Sequence, residues 1–182
     1  MNKQCFFKIV LTGPESSGKT TLAQALAEVL QTVWTPEFAR FYVAALNRPY
    51  QYEDLAIIAR GQFAWENWYA QRAEKFLICD TDWTVINVWE QFGFPERFSA
   101  DKTAQLQHLF KVSDPHIKTY YFLCAPDFAW APDPLREHPH AREALFNLYQ
   151  NLLDRIQADY CILQGPLSQR LEKTLQIIQS LS

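Results

Sequence analysis

The stretch Gly13-Pro14-Glu15-Ser16-Ser17-Gly18-Lys19-Thr20 constrains this chain more than any other feature. It fits the pattern G-x-x-x-x-G-K-[ST], which carries meaning only between a strand and a helix. That context is present. Phe6-Phe7-Lys8-Ile9-Val10-Leu11 is an apolar run that stops at Gly13. From Thr20 to Leu30 the apolar residues Leu22, Ala23, Leu26, Ala27 and Leu30 recur at helical spacing. Two glycines let the backbone turn so that successive N–H groups face inward, and the helix start adds its positive dipole end. Such a nest fits the phosphates of a nucleoside triphosphate, with ATP the expected one. Gly13 to Thr21 form the nucleotide site, Lys19 reaches the β- and γ-phosphates, and Thr20 offers its hydroxyl to Mg²⁺.

Strand and helix patterns alternate along the rest of the chain, which predicts a parallel α/β sheet. Strands are expected at Thr32–Thr35, Phe76–Asp80, Lys118–Cys124 and Tyr160–Leu163. Helices are expected over Glu37–Leu46, Glu53–Lys75, His140–Gln157 and Leu167–Leu181. The fold expected is a P-loop α/β domain with a five-stranded parallel sheet, order 2-3-1-4-5, and helices on both faces. The 182 residues read as one domain, 1–182. Pro126, Pro132, Pro134 and Pro139 crowd one segment and forbid a long helix there, so 126–139 is read as a small lid. No pattern is assigned to 91–116.

Composition narrows the partners. Hydrophobic residues make up 48% and charged residues 20%, a globular balance; the net charge is −3 with no basic arm, which argues against a nucleic-acid binder. No apolar run approaches the roughly 18 residues of a membrane span. The short apolar run at the N-terminus leads straight into the glycine loop, so it is not read as a secretion signal. Cys5, Cys79, Cys124 and Cys161 lie in or beside apolar runs without metal-ligand spacing, and read as reduced thiols of a cytoplasmic protein. His138 and His140 lack matched ligands and are set aside as metal donors. The oligomeric state stays open.

Asp80 ends an apolar strand and should emerge beside the phosphate loop, where a carboxylate can hold Mg²⁺. Three classes of protein share these parts. A switch GTPase wants Asp-x-x-Gly and Asn-Lys-x-Asp, and neither is present. A motor ATPase wants Glu after the strand's Asp, and Thr81 stands there. A small-molecule kinase needs an acceptor carboxylate, cations over the phosphoryl group and a lid. Glu37 follows the second strand and is the candidate for the acceptor hydroxyl, with Asp82 its competitor. Arg40 shares a helix face with Glu37, and a plain salt bridge between them is the alternative. Arg136, with Arg142, could supply lid cations.

These motifs resemble the ribosylnicotinamide kinase domain of the bacterial NadR family. The resembling pieces are Gly13 to Leu22, Pro36-Glu37-Phe38-Ala39-Arg40, Ile58-Ala59-Arg60-Gly61-Gln62, Asp80-Thr81-Asp82 with Trp89, and Pro132-Asp133-Pro134-Leu135-Arg136-Glu137. The resemblance implies ATP- and Mg²⁺-dependent phosphorylation of the 5′-hydroxyl of nicotinamide riboside to the mononucleotide. It lacks the family's adenylyltransferase and DNA-binding segments upstream, so it is expected neither to make the dinucleotide nor to act as a repressor. A flat cationic ring favours aromatic faces. Trp83 and Trp89 are the expected contacts, and Gln62 is expected at the carboxamide. Gly165, after the fifth strand, is expected near the adenine or in a plain turn. The alternatives kept are a kinase for another nucleoside or small alcohol, and a non-catalytic nucleotide-sensing module.

Overall fold

The computed structural model describes residues 6–99, 101, 116–133, 136 and 138–181. Five parallel strands form one sheet: β1 (Phe6–Thr12), β2 (Trp34–Thr35), β3 (Phe76–Asp80), β4 (Ile117–Cys124) and β5 (Tyr160–Leu163). Their order is β2-β3-β1-β4-β5, the order expected. The helices are α1 (Lys19–Val29), α2 (Phe38–Ala45), α3 (Tyr52–Ala70), α4 (Trp83–Gly93), α5 (Arg142–Arg155) and α6 (Leu167–Leu181). Among the described residues no helix is long and apolar enough to cross a membrane. Cys5, the lid residues Pro134, Leu135 and Glu137, and most of 91–116 beyond Ser99 lie outside the described residues.

β1 runs between β3 and β4, so both of its edges are paired, and helices pack on both of its faces, which fits its almost continuous apolar run. Alternation sorts the side chains. Phe7, Ile9 and Leu11 pack with Ile78, Phe122 and Leu163 beneath α1 and α6. Val10 packs with Leu77, Cys79, Tyr121 and Leu123 beneath α2 to α5. β2 is shorter than expected. Thr32 is drawn into the end of α1, where its N–H donates to the Ala27 carbonyl at 2.9 Å and its hydroxyl to the Phe76 carbonyl at 2.6 Å. The corner between α2 and α3 is fixed by Asp54, which takes a forked pair of bonds from Arg48, one from Tyr42 and one from the Gln51 N–H. The Arg48 bonds, helped by the other two, hold its carboxyl well below the usual carboxylate range.

One residue of β1 breaks the apolar pattern. Lys8 is buried, with Nζ 2.6 Å from Glu66 and 3.5 Å from Asp82. Burial alone pulls an ammonium down, but Glu66 and Asp82 hold that of Lys8 well above its ordinary value. Tyr121 donates to Asp82 at 3.0 Å and completes the cluster. Lys8→Met leaves two buried carboxylates without their cation, a loss expected to cost about 3–5 kcal/mol. Urea denaturation checks it, and a midpoint equal to the wild type's contradicts it.

Candidate active site

The loop expected from the sequence folds as a nest. Gly13 sits at φ +131°, and a Cβ there would lie 2.6 Å from the Cys124 carbonyl oxygen. Only glycine allows the loop's root to press so closely against the end of β4. Gly18 sits at φ +80° as the N-cap of α1, without a side-chain cap bond. The first amides of α1 are therefore not claimed by a capping side chain, and no acidic residue occupies its first turn. The Ser17 hydroxyl donates to the Pro14 carbonyl at 2.8 Å. Lys19 Nζ donates to the carbonyls of Gly13 and Pro14 at 2.9 and 2.7 Å, so its ammonium lies over the nest. Gly13, Glu15, Ser16, Ser17, Gly18, Lys19, Thr20 and Thr21 line the cleft. Pro14 contributes its carbonyl from behind.

Parallel pairing sets Leu11 of β1 opposite Asp80 of β3, which brings Asp80 beside the loop. Thr20 Oγ1 donates to Asp80 Oδ2 at 2.6 Å, while Oδ1 is buried without a partner. Burial raises the Asp80 carboxyl, against the pull of Lys19 and the Thr20 bond. An orphaned carboxylate oxygen next to a hydroxyl is a donor set for a hard cation, so Thr20 and Asp80 fit Mg²⁺. Among the described residues no cluster of three His, Cys, Asp or Glu offers a cation a complete protein cage.

Glu37 is the N-cap of α2 and faces the same cleft. Burial, then Asp80 and Glu15, push its carboxyl up to about 7 against the attraction of Lys19 and Arg40. Arg40 lines the cleft but does not pair with Glu37. It reaches Asp133 at 2.8 Å, across to the proline-rich segment. That segment is also tied to the loop, at two points: the Ala131 N–H donates to Ser16 Oγ at 3.1 Å, and the His138 N–H to Glu15 at 3.2 Å. Arg136 lines the cleft above the loop, whereas Arg142 turns to the Phe128 carbonyl at 2.9 Å. The cleft is also lined by Val43, Tyr50, Val85, Trp89, His138, Leu145 and Tyr149. The Tyr50 and Trp89 rings lie 5.5 Å apart, tilted by 31°.

A family model described as an AAA domain, AAA_28, matches residues 8–170. The chain belongs to that family. Among curated proteins none matches the sequence. Among solved structures it is similar to NadR protein in complex with NR, with 21% identity and a TM-score of 0.75 over 96% of this chain and 51% of that one. It is similar to NadR protein in complex with NAD and AMP-PNP, with 19% identity and a TM-score of 0.73 over 96% and 49%. It is also similar to thymidylate kinase from Ehrlichia chaffeensis, with 16% identity and a TM-score of 0.62 over 99% and 100%. At these identities the likeness is one of fold, and the chain spans about half the length of the NadR chains it matches.

In this AAA domain several expected site residues lie elsewhere. Asp82 is fully buried and does not line the cleft that Glu37 lines. Its Oδ1 accepts from the Thr84 N–H and hydroxyl at 2.9 and 2.7 Å, capping α4, and its Oδ2 faces Tyr121 and Lys8. Trp83, the first residue of α4, packs in the core instead of against a ligand. Gln62 is buried as well. Its Oε1 accepts from the Phe38 N–H at 2.8 Å, so it anchors the start of α2 beneath Glu37 rather than touching the cleft. Gly165, at φ +83°, makes a turn whose N–H donates to Asp127 at 2.6 Å; it is not among the residues lining the cleft. Trp89 lines the cleft. Thr81, where a motor ATPase carries its Glu, is 1% exposed at φ +70° and brings a hydroxyl rather than a carboxylate. Sequence reading missed Tyr50, Tyr149 and the cleft role of His138. Only the aromatic side chains themselves signalled them, and aromatic side chains are more often core.

Proposed function

We propose that this chain transfers the γ-phosphoryl group of ATP to the 5′-hydroxyl of nicotinamide riboside. The observation that carries this reading is a shared cleft, lined at once by the phosphate nest, Glu37 and the aromatic side chains of Tyr50, Trp89 and Tyr149. The single-domain reading of 1–182 belongs to the same proposal, with 126–139 closing over the nest through Ser16, Glu15 and Arg40. The amides of the loop and Lys19 receive the phosphates. Mg²⁺, held by Thr20 and Asp80, would neutralise charge between the β- and γ-oxygens. Glu37 takes the proton of the 5′-hydroxyl as its oxygen attacks phosphorus. The new O–P bond forms as the bond to the β,γ-bridging oxygen breaks, and ADP leaves. Arg40 and Arg136, which line the same cleft, would offset charge on the transferring group.

Two features favour the riboside over a neutral nucleoside. The Tyr50–Trp89 pair offers faces to a flat cationic ring. The residues carrying the resemblance to NadR include Glu37, Arg40 and Trp89, all of which line this cleft. ADP release measured over a panel of nicotinamide riboside, deoxyadenosine, thymidine and thymidylate tests the reading. We expect kcat/KM for the riboside to lead by about 100-fold, the scale of discrimination a fitted pocket reaches. Fast turnover of another acceptor with none of the riboside makes this a kinase for that acceptor. Tight ATP binding without turnover of any acceptor makes the chain a sensing module.

A further inference from the structure

Arg170 lies in the first turn of α6, far along the chain from the phosphate loop, yet it is 2% exposed and reaches the loop directly. Its guanidinium gathers the ends of three segments. Nη1 donates to the Ser17 carbonyl at 2.8 Å, Nη2 to the Ala125 carbonyl at 3.0 Å just after β4, and Nε to the Gly165 carbonyl at 2.8 Å just after β5. Asp127 supplies the compensating carboxylate, and its other oxygen accepts from the Gly165 N–H. The Phe128 ring lies against the guanidinium, 4.5 Å from its central carbon, and the same ring is pressed against Gly18, where a Cβ would meet it at 3.0 Å.

The bond to Ser17 has a directional consequence. A trans peptide is planar, so its C=O and N–H point in opposite directions. Holding the Ser17 oxygen back into the protein turns the Gly18 N–H outward, the direction in which a phosphate must meet it. Gly18 alone would not keep that orientation, because glycine is the residue freest to rotate. Lysine could not replace the arginine, since one ammonium on a flexible stem cannot hold three carbonyls set around a planar fork.

We propose that Arg170 is a positioning residue for triphosphate binding: it locks the Ser17–Gly18 peptide so that the Gly18 amide is aimed at the phosphates. This rests on the nucleotide half of the function proposed above and is independent of the acceptor's identity. The rival role is a staple between α6 and the sheet, which affects stability alone.

The test uses the full chain, with Arg170→Lys as the variant and a fluorescent ATP analogue with Mg²⁺ as the probe. We expect the dissociation constant to rise about 10- to 100-fold, the loss of one charge-assisted hydrogen bond, while KM for the acceptor stays near the wild-type value. The chain has five glycines, so selective ¹⁵N-glycine labelling gives a simple amide spectrum. The Gly18 resonance should already be displaced in the variant before nucleotide is added. An unchanged dissociation constant and an unchanged Gly18 resonance, with only a lower melting temperature, overturn the proposal in favour of the staple. Should Arg170→Lys not fold, Asp127→Asn loosens the same guanidinium from its other side, and weaker triphosphate binding is again expected, wild-type binding again contrary. If the wild-type chain itself binds no triphosphate, the phosphate-loop reading falls and this inference falls with it.

Discussion

A Lys19→Ala variant is expected to fold normally and to lose phosphoryl transfer by about 10²–10³-fold, the scale of removing one preorganised charge from a reacting oxyanion. The fold should survive because Lys19 belongs to no core cluster and is only partly buried; its bonds are to the carbonyls of its own loop. Catalysis should not survive, for two reasons. The ammonium is the cation set in the nest where β- and γ-phosphates would lie. It also restrains the carboxylates around it, since it lowers both Glu37 and Asp80. Without it Glu15 and Glu37 line the cleft against an anionic substrate, with Arg40 and Arg136 left to offset them. Steady-state ADP release measures the effect, and turnover like that of the wild type would remove the loop from the mechanism.

Glu37→Gln is expected to lower kcat by about 10²–10⁴-fold, the contribution of a positioned general base, while ATP binding stays close to normal. Glutamine fills the same space and leaves the Phe38–Gln62 anchor untouched, so the loss isolates the carboxylate. The pH dependence gives a second reading. A base must be ionised to accept a proton, so wild-type activity should fall as pH drops through the Glu37 value. That value is about 7 in the ligand-free cleft, raised mainly by burial, and a cation held at Asp80 moves it lower. The limb should therefore lie at or below about 7 and vanish in Glu37→Gln. Asp82→Asn should behave differently, because both Asp82 oxygens are engaged inside the protein. It should cost stability before it costs kcat; the reverse pattern would return Asp82 to the role of base.

The contrast between these two carboxylates shows what the sequence could reveal. Every part encoded by a local pattern was legible: the apolar β1, the glycine loop, the amphipathic α1, and Asp80 at the end of β3. Parallel pairing then places those parts side by side. Glu37 was legible for the same reason, because it follows a strand at the ligand-binding edge. Asp82 was not. Thr81 takes a left-handed turn at φ +70°, after which the chain folds back, and the carboxylate caps α4 and meets Lys8 rather than the cleft. The partner it meets is a buried lysine in a central strand, which no periodicity announces. Gln62 and Trp83 were misread because neighbours in sequence need not share a surface. Arg170 was missed because its partners at 17, 125 and 165 are distant along the chain and close only in the folded sheet. Tyr50, His138 and Tyr149 reach the cleft from three separate segments.

Calorimetric titration of the wild-type chain with Mg²⁺ and ATP, repeated with AMP, is the most direct test of a nest built for a triphosphate. The account predicts one site per chain that takes ATP far more tightly than AMP and loses that preference in Lys19→Ala. Equal binding of the two nucleotides, or binding of neither, would contradict it.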